Sequence, residues 1–148
     1  MNTLLKLALP LAAGLLVASC DKGSDVELPV TPLQLSESCD VKAGCVAVAD
    51  DVSLHLSIGP DMRALVPFPV TVVVQGEQRA DSVTASFAMR DMDMGLNRYQ
   101  LINDGAQRWF ANVTLPVCSS GRSDWIAVVE VLSKGRRFAV EVPFVMDK

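Results

Sequence analysis

Apolar and polar residues alternate along most of this chain after residue 50, and this period of two constrains the fold more than any other feature. In residues 53–58 three aliphatic side chains alternate with Ser, His and Ser, and residues 82–89 carry Val, Ala, Phe and Met at every second position. Successive side chains of a β-strand point to opposite faces, so each segment buries one face and exposes the other. The same pattern recurs in residues 70–74, 109–115, 126–131 and 138–142.

Turn-forming residues separate the alternating segments, as in the G-P, N-D-G, S-S-G and K-G strings. No helical apolar stripe of useful length follows the first twenty residues. Seven or eight short strands in about 110 residues favour an all-β fold, an antiparallel sandwich of the immunoglobulin-like type. We predict one such domain over residues 39–148.

The N-terminus has the features of an export signal. Residues 1–19 carry one charged side chain, Lys6, followed by an apolar run over residues 7–17. That run is too short to span a bilayer comfortably, which indicates a signal peptide rather than a membrane helix. It ends in L-V-A-S-C, and small residues before Cys20 resemble a bacterial lipobox. The resemblance implies cleavage before Cys20 and lipidation of its sulfur, and an ordinary signal peptide cut nearby is the alternative.

The mature chain is acidic. Removal of Lys6 leaves 12 basic and 17 acidic side chains, a balance of −5, which opposes binding to nucleic acid. We therefore expect acyl chains on Cys20 to anchor the domain on the periplasmic side of a bacterial envelope membrane. Asp21 resembles an inner-membrane retention signal of enteric bacteria. Residues 20–38 contain Pro, Ser and acidic residues without sustained periodicity, which predicts a flexible tether.

Three cysteines remain once Cys20 is lipidated, and the compartment is oxidising. Cys39 and Cys45 flank five residues that include Gly44, so we predict a disulfide between them that leaves Cys118 as an odd thiol. Pairing of Cys118 with either of the other two is the open alternative. A free Cys118 also fits a small buried residue at a strand end. No C-x-x-C pair occurs, which opposes thiol–disulfide exchange and a structural zinc site.

The sequence lacks catalytic motifs. Its single histidine, His55, lies on the polar face of a predicted strand, and no G-x-S-x-G string accompanies it. Neither H-E-x-x-H nor a Gly-rich phosphate loop occurs. Asp91 and Asp93 begin like a calcium loop, but Leu96 and Ile102 stand where an EF-hand requires Gly and Glu. We therefore expect that the protein is not an enzyme.

Methionine is concentrated where the alternation stops. Three of the six methionines fall within residues 89–94. Met89 continues an apolar face and is predicted to lie in the core. Met92 and Met94 are interleaved with acidic residues and precede Gly95. Thioether sulfur is a soft ligand that selects copper(I) over zinc, calcium or magnesium, so both are candidate copper(I) ligands, with packing as the alternative role.

A topological argument suggests further ligands. If every connection reverses the strand direction, the strands that precede the methionine segment and Cys118 run to the same end of the domain. The loop that contains Met62 lies at this end as well, whereas His55 lies nearer the other end. Met92 and Met94 are then expected in a loop beside Cys118. Two thioethers and a thiolate would make a trigonal copper(I) site, with Met62 as an additional candidate.

A family resemblance rests on one string and two later segments, which read M-D-M-G-x-N-R from Met92, W-x-A from Trp109 and L-P-x-C ending at Cys118. They resemble small proteobacterial exported lipoproteins that are similar in plan to the YtkA-like and FixH-like β-sandwich proteins. The resemblance covers residues 66–130 and implies copper handling or cytochrome oxidase assembly, with Met92, Met94 and Cys118 as ligands. Three polar residues nearby are interpreted as structural: Asn97, Arg98 and Asp124.

Together these features predict a membrane-anchored periplasmic lipoprotein that binds copper(I) for delivery or buffering, in cytochrome oxidase assembly or copper homeostasis. Its expected partner is a periplasmic protein that donates or receives copper. One alternative is a metal-free interaction module, in which exposed Met62, Met92, Met94 and Leu96 form an adaptable apolar patch. The other is a structural lipoprotein of the envelope.

Overall fold

A computed structural model describes residues 28–76 and 79–147 of the chain, and all its regular elements are β-strands. The predicted signal peptide over residues 1–19, together with Cys20 and Asp21, lies outside the described residues. Within the described ranges, no helix is long and apolar enough to cross a membrane. The strands are β1 (Val30–Pro32), β2 (Gln34–Leu35), β3 (Cys45–Ala49), β4 (Val52–Ile58), β5 (Phe68–Gly76), β6 (Ser82–Met89), β7 (Met92–Gln100), β8 (Ile102–Gly105), β9 (Arg108–Val113), β10 (Asp124–Ser133) and β11 (Arg136–Val145).

The strands form two sheets. Sheet I has the order β1-β11-β10-β6-β7, and sheet II has the order β2-β3-β4-β5-β9-β8. All pairings are antiparallel except that of β1 with β11. The prediction of an all-β antiparallel sandwich is confirmed, with eleven strands in the described residues rather than seven or eight. The immunoglobulin-like subclass stays a prediction.

The core lies between the inner faces of the two sheets and follows from the alternation. In sheet I, Val129 of β10 pairs with Ala85 and Val140, and all three are buried. In sheet II, Leu54 pairs with Val74 in the same way. Full burial of one such aliphatic side chain contributes roughly 1.5–3 kcal/mol. Met89 is also buried, as predicted.

The segment before residue 39 belongs partly to the domain. Val30 of β1 pairs with Arg137, Gln34 of β2 pairs with Val48, and Leu33 between them is buried. The prediction of a flexible tether is therefore wrong for residues 30–35. These strands are too short to show a period of two in the sequence, and each lies at the edge of a sheet, where proline is tolerated. The neighbouring strands determine their structure.

The chain passes from sheet I to sheet II between β7 and β8. Strand β7 ends in sheet I, buried Leu101 donates its amide proton to the carbonyl of Val83 at 2.9 Å, and β8 continues in sheet II. The register of β6 and β10 places the β6–β7 turn beside the start of β10 at Asp124, and the loop after β9 brings Cys118 into contact with Met92 at the start of β7. We call this end of the sandwich the motif end.

Candidate metal centre

Two sulfur atoms meet at the motif end. Met92 is the first residue of β7, immediately after the turn formed by Arg90 and Asp91. Cys118 lies in the loop between β9 and β10. The Sγ atom of Cys118 lies 3.1 Å from the Sδ atom of Met92, and the thiol donates toward the thioether. The prediction that these two residues lie side by side is confirmed.

A bulge interrupts β7 directly after Met92. Met92 pairs with Met89 across the hairpin, whereas Asn97 pairs with Phe87, so four residues of β7 lie opposite Ala88 alone. The expectation that the methionine segment is a loop is therefore wrong. The segment belongs to a strand, and the additional residues of the bulge break the period of two, as bulges do.

Polar atoms of the motif hold this bulge in place. Gly95 has a φ of 70°, a left-handed conformation that glycine adopts without steric cost. Its amide donates to Oδ1 of Asp93 at 2.9 Å, and Nδ2 of Asn97 donates to the carbonyl of Met94 at 2.9 Å. The D-x-G-x-N spacing thus has a backbone role, which confirms the structural interpretation of Asn97. The bulge leaves Leu96 91% exposed.

The other predicted sulfur ligands are placed differently. Met94 lies two residues beyond Met92 on the same strand, and both side chains are half-buried against the core. Met62 is only 1% exposed. Its amide donates to a carboxylate oxygen of Asp147 at 3.1 Å, and its carbonyl accepts from the Asp147 amide at 2.8 Å. The interpretation of Met62 as part of an exposed patch is wrong, because its side chain fills the core.

The environment of Cys118 favours the thiolate. The side chain is 6% exposed and is not part of a disulfide. The Ser120 hydroxyl, 3.0 Å from the sulfur, is the main cause that lowers the pKa of the thiol below its ordinary value. Burial opposes this shift, while backbone hydrogen bonds and the Arg122 charge add to it. The thiolate is the form that binds metals.

The Arg122 side chain joins the two segments that carry the sulfurs. Its Nε and Nη2 atoms both donate to the carboxylate of Asp124, and its Nη1 atom donates to the carbonyl of Arg90 at 3.1 Å. The Arg122 guanidinium lowers the pKa of Asp124. Arg98 forms an ion pair with Glu130 at 3.1 Å. The structural interpretation of Asp124 and Arg98 is thus confirmed.

Sequence reasoning did not identify Ser120 or Arg122 as parts of the site. The S-S-G string indicated only a turn, although the amide of Gly121 does close that turn on the Cys118 carbonyl at 3.0 Å. The available signal was proximity in sequence, because a hydroxyl and a guanidinium lie two and four residues after the odd thiol. Such spacing is common in loops, so it identifies no site by itself.

The remaining cysteines and the histidine are arranged as predicted. Cys39 and Cys45 form a disulfide with a Cα–Cα distance of 4.6 Å, which confirms the predicted pairing and leaves Cys118 free. His55 is exposed in the middle of β4, where its ladder partners are Val46 and Val73. It therefore lies away from the sulfur pair.

Cys118 also borders a cavity of about 200 Å³, lined in addition by Val117, Trp125 and Met146. Within residues 28–76 and 79–147, no three side chains of the His, Cys, Asp and Glu types are grouped to hold a metal. The metal-binding atoms that contact each other at the motif end are the sulfurs of Cys118 and Met92, and soft ions are the metals that sulfur donors select. No family model matches the sequence of this chain, and no curated protein matches it significantly.

Proposed function

We propose that this protein binds copper(I) through the Cys118 thiolate and the Met92 thioether. The observation that carries the proposal is the 3.1 Å contact between their sulfur atoms. Thiolate and thioether are both soft ligands, which favour copper(I) over harder divalent ions. The lowered pKa of Cys118 supports the proposal, because the thiol must lose its proton to bind a metal.

Met94 is the candidate for a third ligand. It lies two residues after Met92 in the bulged part of β7, and the side chains of both methionines are half-buried against the core. Three rotatable side-chain bonds give a methionine sulfur a wide reach. A thiolate and two thioethers would complete a trigonal site for copper(I).

The proposed cellular role is copper delivery or buffering by a lipoprotein that faces the periplasm. The lipobox-like sequence before Cys20, with Asp21 after it, supports a lipid anchor in the envelope, with the inner membrane favoured. At about 3.3 Å per residue, the chain from Cys20 to Val30 can reach at most about 33 Å, so the domain would work close to the membrane. The partner would be a periplasmic protein that donates or receives copper.

The resemblance of the motif to YtkA-like and FixH-like proteins supports a role in cytochrome oxidase assembly or copper homeostasis.

The lipid anchor has its own test. Wild-type protein should incorporate labelled palmitate in bacterial cells and sediment with membranes, and Cys20→Ala should do neither. Equal labelling of the two proteins would reject Cys20 as the anchor.

A competition titration against a coloured copper(I) chelator tests the binding site. The mature domain should withdraw copper from the chelator, and Cys118→Ser should lose at least about tenfold in affinity, equivalent to about 1.4 kcal/mol. The Met92→Ala/Met94→Ala double variant should show a loss of similar size. Met62→Leu should bind like wild type, because it preserves the volume of a core side chain. If wild type withdraws copper as poorly as the double variant, the proposal fails.

A metal-free interaction module is the second candidate function, and the exposure of Leu96 favours it. Hydrogen bonds fix the backbone of the bulge on both sides of Leu96, whose apolar side chain is 91% exposed. Rigid apolar side chains at a surface are suited to bury area against a partner protein. The titration separates the two functions, because the module would leave all of the copper on the chelator.

A further inference from the structure

We infer that Arg122 is the positioning residue of the sulfur pair, because its guanidinium ties the turn that carries Met92 to the loop that carries Cys118. The consequence for copper affinity rests on the proposed function. The tie itself is a property of the metal-free protein, so it can be tested separately.

The Met92 turn needs such a tie because its own ladder holds it weakly. Strand β7 is an edge strand of sheet I, paired on one side with β6 alone. The bulge separates the pair of Met89 and Met92 from the regular ladder that resumes at Phe87 and Asn97. A bulge leaves residues unpaired and disrupts the ladder locally, so β6 alone constrains the turn less than it constrains the rest of β7.

Arg122 constrains the β6–β7 turn by linking it to β10 of sheet I. Asp124 is the first residue of β10, and its ladder partner is Val145. Its carboxylate holds the guanidinium through Nε and Nη2, which leaves Nη1 to donate to the Arg90 carbonyl at 3.1 Å. In the described parts of the chain, two hydrogen bonds link the β6–β7 turn and Met92 to the loop that carries Cys118. One is this bond from Arg122, and the other is the contact between the two sulfurs.

The chemistry of the tie requires arginine. A planar guanidinium presents donors in a fixed fork, so it can satisfy both carboxylate oxygens of Asp124 and a carbonyl at once. A lysine ammonium at this position would keep the charge but lose the fork. Arg122 therefore holds the two sulfurs in contact before a metal arrives, and residues that orient ligands in this way typically change metal affinity by about 10-fold to 100-fold.

The copper experiment compares three variants with wild type. Arg122→Ala should weaken copper(I) binding by about 10-fold to 100-fold, and Arg122→Lys should restore only a minor part of the loss. Arg108→Ala is the matched control, since Arg108 forms a similar ion pair with Asp104 at 3.0 Å at the opposite end of the sandwich. X-ray absorption should show fewer sulfur neighbours around copper in Arg122→Ala, and Arg108→Ala should keep the wild-type number.

A second experiment tests the tie without copper. In Met92→Cys, the introduced thiol and Cys118 should be joined by dibromobimane, a short reagent that alkylates two thiols, in metal-chelated buffer, because a cysteine sulfur at position 92 lies one bond nearer the backbone than the methionine sulfur. Adding Arg122→Ala or Arg122→Lys should slow this cross-link several-fold, because both lose the fork although lysine keeps the charge that lowers the pKa of Cys118, and adding Arg108→Ala should leave the rate unchanged. In wild-type protein, a nuclear Overhauser contact between the Met92 methyl group and the Cys118 β protons should be present, and Arg122→Ala should weaken it.

The outcomes are separable. Equal cross-linking with and without Arg122, or an unchanged Overhauser contact, overturns the role of Arg122 whatever copper does. Slower cross-linking together with no copper binding by wild type supports the tie and rejects the copper site. If the Met92→Cys protein does not fold, the Overhauser contact decides alone, because it requires no change at position 92.

Discussion

The Cys118 thiol is buried and yet has a lowered pKa, two properties that ordinarily oppose each other. Burial disfavours the charged form of a thiol and raises its pKa. The Ser120 hydroxyl at 3.0 Å outweighs this effect, because a hydrogen bond to the thiolate stabilises the charged form. The Arg122 charge acts in the same direction. A single loop thus supplies the thiol, the hydroxyl that lowers its pKa and the arginine that is hydrogen-bonded to the Arg90 carbonyl.

Replacement of Ser120 tests this explanation at the scale of one residue. Ser120→Ala removes the hydroxyl, so the pKa of Cys118 should rise and less thiolate should be present at a given pH. The rate of alkylation by iodoacetamide depends on the thiolate, and its half-maximal pH should therefore move upward. Ser119→Ala is the matched control, because Ser119 is not among the groups that shift the pKa of Cys118. Equal midpoints for the two variants would contradict the assigned role of Ser120.

At the scale of the element, the β7 bulge explains the composition of the methionine segment. Asp93, Gly95 and Asn97 are required by the backbone of the bulge, whereas Met92 and Met94 pack on the core. The sequence alone showed that the alternation stops at this point. It did not distinguish a loop from a bulged strand, because that distinction depends on the ladder partner in β6.

Two glycines with positive φ differ in the space that an added side chain would meet. Gly95 has a positive φ, and a Cβ added there would meet nothing within 4 Å, so Gly95→Ala should cost only the left-handed conformation, about 1–2 kcal/mol. At Gly76, also with a positive φ, an added Cβ would overlap the carbonyl oxygen of Asp51. Gly76→Ala should therefore lower the free energy of unfolding further, as measured by urea denaturation. Equal losses for the two variants would refute the overlap.

At the scale of the whole molecule, residues far apart in sequence close the motif end. Lys42, in the disulfide loop, pairs with Asp147 near the C-terminus at 2.7 Å and lowers the pKa of its carboxyl. Asp147 also binds the backbone of Met62, and the amide of Met146 donates to the carbonyl of Ser123 at 2.9 Å. The Cys118 loop, the core methionine and the disulfide loop therefore form one connected structure.

Removal of the disulfide should weaken the whole fold. The bond between Cys39 and Cys45 closes a loop with a sequence separation of 6, for which loop entropy predicts a stabilisation of about 2 kcal/mol. The Cys39→Ser/Cys45→Ser double variant should lose about this much free energy of unfolding in urea. Cys118→Ser, which breaks no disulfide, is the control. An unchanged unfolding midpoint in the double variant would show that the loop is held by its other contacts.

The sequence by itself predicted the all-β class, the positions of most strands and a Cys39–Cys45 disulfide with an odd thiol at Cys118, although it left another pairing of Cys118 open. Alternation reports which face of a strand is buried, and cysteine spacing reports which loop can close, and both are local properties. The tertiary structure decided the strands in residues 30–35, the bulge in β7, the burial of Met62 and the tie made by Arg122. These depend on ladder register and on contacts between distant segments. Met92 and Cys118 lie 26 positions apart, and the folded sheets bring their sulfurs to 3.1 Å.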